Sequence, residues 1–208
     1  MSSFQTYRTL LVTYIRPNGE RGSMAADLAG MLADSGKRTA LIDADLHQPS
    51  LHTLYNLTQP IGLSDLLTDH TTPDKYLYSV NGGYLDLMPA GHILSAGDTL
   101  ATLSRMGSVM RSLKERYERV IIHGPSCINP EVLLLADLVD AVILLIHNGH
   151  NSGTNDQSRT VIDQLQKSGK PVIGLVMRAQ PKLPPNQTAF LRRLLSYDRR
   201  VRSETQQY

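Results

Sequence analysis

The residues able to carry chemistry are few, and they stand where apolar runs end. Asp43 and Asp45 lie two apart at the close of Arg38-Thr-Ala-Leu-Ile-Asp43, and His123 follows Val120-Ile-Ile122. Two acids at a strand end can serve as helix caps or as loop hydrogen-bond acceptors. An imidazole offers metal binding or acid/base work near neutral pH. A lone strand-end histidine is more often simply hydrogen-bonded, and no second histidine or cysteine at ligand spacing accompanies His123. The serine, histidine and aspartate residues form no G-x-S-x-G signature, and no nucleic-acid-binding motif appears, so no nucleic-acid partner is expected. The one cysteine, Cys127, cannot form an internal disulfide or a multi-cysteine metal site.

The elements that must position these residues alternate between two periods. Thr9-Leu-Leu-Val-Thr13 reads as a strand, Ser23–Asp34 as a helix and Arg38–Asp43 as a second strand, which is a βαβ pattern. Ser23 is placed to cap the helix, and Gly36 to stop it with positive φ. Further strands are expected at Tyr84–Met88, Val120–His123, Ala141–Ile146 and Pro171–Met177. Further helices are expected at Thr99–Arg116, Pro130–Leu138, Asn155–Lys167 and Gln187–Arg202. Runs of continuous Val, Ile and Leu suit strands covered on both faces. The fold class is therefore α/β, a doubly wound and mainly parallel sheet flanked by helices, with ligands at the carboxyl ends of the strands.

A chain of 208 residues with 41% hydrophobic residues suits one α/β domain, over 1–180, followed by a proline-rich hinge and a basic amphipathic helix over 181–208. The N-terminus lacks a secretory signal pattern, and no apolar run nears the ~20 residues of a membrane span, so a cytoplasmic location is expected. Net charge is +2, but the last 28 residues hold six basic side chains against Asp198 and Glu204, which leaves the body mildly acidic. On a helical projection Phe190, Leu194, Tyr197 and Val201 share one side, and Arg192, Arg193, Arg199 and Arg200 the other. Such a helix, Phe190–Arg202, suits docking on the body or contact with an anionic membrane.

Several segments, read in order, carry a resemblance. They are Leu10-Leu-Val-Thr13, Ala25-Ala-Asp-Leu-Ala29, Ser35–Leu46 with Pro49-Ser-Leu51, Gly62-Leu-Ser-Asp-Leu-Leu67, Leu87-Met-Pro-Ala-Gly91 and Arg116–Ile122. Together they resemble the ATPase domain of bacterial tyrosine kinases that work with polysaccharide chain-length proteins, a branch of MinD/ParA-class P-loop ATPases. The resemblance runs from about Arg8 to Arg178 and implies a P-loop NTPase-like fold. In that family a P-G-E-G-K-S/T loop cradles phosphate, its lysine reaches the β/γ-phosphates and its hydroxyl holds Mg²⁺.

Here the loop is Pro17-Asn-Gly-Glu-Arg-Gly-Ser23. Arg21 falls at the lysine, Glu20 at the preceding glycine, Gly22 at the first hydroxyl residue and Ser23 at the next. A guanidinium is no conservative exchange for an ammonium at a tight phosphate site. Asp43-Ala-Asp45 matches the family's second motif, whose carboxylates help position Mg²⁺. The arginine that follows there is His47 or Gln48 here. His123 stands at a third-motif aspartate, and Arg178 at an asparagine that reads adenine. The resemblance thus implies a vestigial nucleotide site made of Asn18, Gly19, Arg21, Gly22, Ser23, Asp43, Asp45 and Arg178, with no catalytic residue, no metal and no cofactor.

With its lysine and hydroxyl partners lost, the acid pair is read as structural. The function expected is a catalytically inactive binding or regulatory module in exopolysaccharide or capsule synthesis. Its partner would be a membrane-bound polysaccharide chain-length protein or an active kinase paralogue, and oligomers are allowed. The family's C-terminal tyrosine cluster is reduced to Tyr197 and Tyr208, and its Arg-rich N-terminal helix to Ser2–Tyr7. One rival is a divergent ATPase or tyrosine autokinase using ATP and Mg²⁺, with Arg16 or Arg21 supplying phosphate charge and Asp43 or Asp45 the metal contact. Another is a MinD-like membrane-associated positioning protein. Nucleotide titration separates the first, and lipid sedimentation the second.

Overall fold

The computed structural model describes residues 7–15, 22–58, 60–69, 71–93, 96–148, 156–167 and 169–178. In chain order these form β1 (Thr9–Tyr14), α1 (Ser23–Asp34), β2 (Thr39–Asp43), α2 (Leu51–Leu54), α3 (Leu63–Asp69), β3 (Tyr78–Val80) and β4 (Leu85–Met88). There follow α4 (Ala96–Leu103), α5 (Met106–Arg116), β5 (Arg119–Ser126), α6 (Glu131–Asp137), β6 (Ala141–Asn148), α7 (Asp156–Lys167) and β7 (Val172–Arg178). The seven strands make one sheet in the order β3-β4-β2-β5-β1-β6-β7. All pairs are parallel except β3 with β4.

The central strands are fully buried because helices cover both faces. Along β1, Leu10 and Val12 pack with Met24, Ala25, Leu28 and Ala29 of α1, while Leu11 faces the other way, toward Met110, Leu113, Val132 and Leu135. β5 repeats the division, with Ile121 on the α1 side and Val120 and Ile122 on the other. Two-sided burial is the reason these strands read as unbroken apolar runs.

The expected elements over residues 9–178 are present, with informative differences. Gly36 ends α1 at φ 81°, as expected, and its amide donates to the Ala33 carbonyl. Ser23 does not cap α1. It is the first helical residue, and the N-cap is Gly22 in the left-handed region at φ 78° with no side-chain cap bond. The helix expected over Thr99–Arg116 is two helices. The break lets Leu103 and Met106 both enter the core, while the Arg105 guanidinium donates to the Leu67 carbonyl.

β5 runs past His123 through Gly124 and Pro125. Its pairing with β2 ends at Asp43–His123, so Pro125 removes no ladder bond on that side. On the other side Thr13 Oγ1 donates to the Pro125 carbonyl at 2.6 Å, and the register with β1 shifts at a bulge between Val12 and Tyr14. The tail helix over Gln187–Arg202 and the hinge before it lie outside the described residues. Among the described residues no helix is long and apolar enough to cross a membrane.

One docking contact fixes the outer half of the sheet. The amides of Leu63 and Ser64 donate to the carbonyls of Pro89 and Ala90 at 2.8 and 2.9 Å, which seats the start of α3 on the end of β4. A Cβ at Gly62 would collide with the Pro89 carbonyl oxygen and lie 2.6 Å from the Gly91 amide nitrogen, both backbone atoms that cannot swing away. Gly62→Ala is therefore expected to cost about 3 kcal/mol in urea melts. At Gly36 nothing lies within 4 Å of an added Cβ. Gly36→Ala should lose only the roughly 1–2 kcal/mol of a left-handed L-residue. Equal losses at the two positions would show that the docking contact does not limit stability.

Candidate functional site

The acids and the histidine meet at the carboxyl ends of β1, β2 and β5, the edge where open parallel sheets bind ligands. Asp43, Asp45 and His123 are 0%, 1% and 2% exposed. A buried carboxylate needs donors, and the chain supplies them. Asp43 Oδ2 accepts from the amides of Ser50 and Leu51 at 3.0 and 2.9 Å, and its Oδ1 from the Asp45 amide at 3.3 Å. Asp43 thus holds the first turn of the short α2. Asp45 Oδ1 accepts from the Gln48 amide at 3.0 Å, and its Oδ2 from the Tyr14 hydroxyl at 2.8 Å.

Tyr14 is the residue that sequence reasoning missed. β1 and β2 are not neighbours in the sheet, because β5 lies between them. The Tyr14 side chain therefore crosses the end of β5 to reach Asp45, with its ring stacked on that of His123 at 6.3 Å between centroids and 24° between planes. His123 Nε2 in turn lies 3.4 Å from Ser50 Oγ. A second bridge joins the same loops, between His47 Nε2 and Glu131 Oε1 at 3.0 Å. Glu131 is only 5% exposed, and its other oxygen has no partner among the described residues.

Gly22 completes the cluster. A Cβ at this position would lie 2.7 Å from both Leu51 Cδ2 and Ser50 Oγ, so α2 occupies the space that a side chain at residue 22 would use. Ser23 lies half-buried on the first turn of α1. Asn18, Gly19 and Arg21, with Arg16 and Glu20, lie outside the described residues. Arg178 ends β7, in register with Asn148, three strands beyond β5 in the sheet order. The structure thus brings Gly22, Asp43, Asp45 and His123 together and places Arg178 at the far edge. Among the described residues no three His, Cys, Asp or Glu side chains converge as a metal site. A separate cleft of about 460 Å³ lies on the outer side of the loop after β2, lined by Pro49, His52, Pro60, Gly91, His92 and Ile93.

With this geometry in view, likeness to known proteins becomes specific. No family model matches the chain. It is 24% identical over 174 residues to the tyrosine-protein kinase YwqD of Bacillus subtilis, covering 83% of this chain and 73% of that protein. It is 24% identical over 176 residues to the putative tyrosine-protein kinase CapB of Staphylococcus aureus, covering 84% and 76%. It is 28% identical to the putative tyrosine-protein kinase EpsB of Ralstonia solanacearum, covering 85% of this chain and only 23% of that longer protein.

Among solved structures, the VpsO kinase domain superposes with a TM-score of 0.72 at 26% identity, covering 86% of this chain and 88% of that one. MinD of Pyrococcus horikoshii superposes with a TM-score of 0.67 at 17% identity, covering 86% and 74%. The fold is that of MinD-type P-loop ATPases. Within that class the homologues of this chain are bacterial tyrosine kinases.

Burial pushes the Asp43 carboxyl above the ordinary aspartate range, against the lowering influence of His123 and of the Leu51 and Ser50 amides. The stability tied to its protonated form is present in full below the unfolded value near 3.8 and is lost as pH rises through the raised folded value. Asp43→Asn removes this titration. In urea melts from pH 4 to 7 the stability difference between Asn and Asp should therefore move toward the Asn variant as pH rises. A difference that stays constant, or moves the other way, contradicts the assignment.

Proposed function

We propose that this chain is a binding or regulatory module of capsule or exopolysaccharide synthesis that works without turning over ATP. The pathway rests on likeness to tyrosine kinases such as CapB and EpsB. The inactivity is supported by one observation above the others: at the head of α1 a Cβ on Gly22 would lie 2.7 Å from Leu51 Cδ2 and Ser50 Oγ, so a hydroxyl-bearing residue there would have to displace them.

The residues there do not suit the metal. Magnesium takes hard oxygen ligands in near-ideal octahedral geometry. Gly22 offers no hydroxyl, and the space for one holds Leu51 and Ser50. The oxygens of Asp43 and Asp45 are engaged by amides and by the Tyr14 hydroxyl. His123 brings a nitrogen where the kinase relatives are read as having a carboxylate, and that nitrogen faces Ser50. An ion would have to break several of these bonds at once, each worth about 0.5–1.5 kcal/mol net and more where a carboxylate accepts.

A membrane-bound polysaccharide chain-length protein or an active kinase paralogue fits as partner. A solved chimerical protein, CapA2B2, superposes with a TM-score of 0.74 at 23% identity, covering 84% of this chain and 77% of that one. The amphipathic segment Phe190–Arg202 adds a route to the anionic inner face of a membrane. Sedimentation with phosphatidylserine vesicles at low salt should carry the full chain down and leave a truncation after Pro185 in the supernatant. Equal recovery of both forms in the supernatant would remove the lipid route.

Isothermal titration with millimolar ATP should give no magnesium-dependent heat, and thermal melts should not shift, since a ligand that binds only the folded state raises apparent stability. A micromolar dissociation constant would instead establish the divergent ATPase. The reversal Glu20→Gly, Arg21→Lys, Gly22→Ser should not restore binding, because position 22 is left-handed and its side-chain space is taken.

A further inference from the structure

The ties at the carboxyl edge join five separate segments of chain, and their arrangement has a mechanical sense. Tyr14 at the end of β1 reaches over β5 to Asp45. Its ring lies along His123 of β5 as it passes. His123 meets Ser50 at the head of α2, and Asp43 of β2 holds the same turn through two amides. Leu51 and Ser50 close on Gly22 at the head of α1. On the other side of the loop after β2, His47 joins Glu131 of α6. We infer that the loop following β2 is held in one arrangement against the ends of β1 and β5 and the head of α1 by these contacts, so that the face it forms is set before any ligand or partner arrives.

The physical ground is the cost of alternatives. Loops at a strand edge normally open locally at low free energy, since few buried contacts restrain them. Here an outward movement of residues 44–51 would break the bonds made by two carboxyl groups, a hydroxyl and an imidazole that are now buried, each worth about 0.5–1.5 kcal/mol net. The fully buried Leu51 and Leu46 would also leave the core. Tyr14 acts as the positioning residue, since its hydroxyl links β1 to this loop across an intervening strand, and that hydroxyl is the only part of it that Phe lacks.

This inference deepens the reading of the chain as an ATP-independent module and rests on it only for its meaning, so the two fail separately. The test is hydrogen–deuterium exchange of the full chain, alone and with millimolar Mg·ATP, on wild type, Tyr14→Phe and Ser50→Ala. In the wild type without nucleotide, the amides of Asp45, Gln48, Ser50 and Leu51 should be strongly protected, and nucleotide should leave them unchanged. Tyr14→Phe should speed exchange across 45–51 about tenfold, the population change given by one lost hydrogen bond, with amides in the centre of β2 and β5 unaffected. Ser50→Ala keeps the Asp43 bonds to the backbone and should show a smaller effect in the same segment.

Rapid exchange of 45–51 in the nucleotide-free wild type overturns the inference, and so does protection that appears only with Mg·ATP. If Tyr14→Phe loosens the whole sheet equally, the role of Tyr14 is global and the strap is wrong. If Mg·ATP binds while 45–51 stays protected, the module reading falls and the pre-set face stands.

Discussion

A carboxylate without water must be answered by the chain, and at Asp43 the answer shapes everything around it. Its oxygens gather the amides of Asp45, Ser50 and Leu51, and those amides belong to a loop that would otherwise have no reason to turn back on the sheet. Leu51 is thereby driven fully into the core beneath α1. Position 22 then suits glycine chiefly for its left-handed backbone, and any Cβ there would also have to displace the ends of the Leu51 and Ser50 side chains. One buried carboxyl group so dictates the start of α2, the entry to α1 and the fate of the space between them.

The fold was readable wherever burial is two-sided. β1, β2, β5 and the first five residues of β6 announce themselves as apolar runs because both faces are covered, and α1 is closed by a glycine whose positive φ is a local requirement. Readability failed where an element exists only through its neighbours. β3 is three residues at an edge, α2 is a single turn held by Asp43, and the break between α4 and α5 reflects where Leu103 and Met106 must point.

The site divides in the same way. Asp43, Asp45 and His123 were visible at the ends of runs. Tyr14 bonding Asp45 across 31 residues, Ser50 meeting His123 across 73 and His47 meeting Glu131 across 84 leave no local trace. Sequence patterns record periodicity and turn chemistry, while a strap across an intervening strand depends on the sheet order, which no local pattern encodes.

The sheet order also governs how the molecule is made. β1 pairs on one side with β5 and on the other with β6, beginning with Thr9 opposite Val120 and Leu10 opposite Ala141. Of the seven strands β1 comes first in chain order, and its two neighbours are the fifth and the sixth. At ribosomal rates of about 5–20 residues per second, β1 waits roughly 5–20 s for the first of them. During that interval Leu10, Leu11 and Val12 have only α1 to shelter them, on one face. A chaperone that covers β1 until β5 and β6 emerge would therefore help this chain more than one that acts on the finished fold.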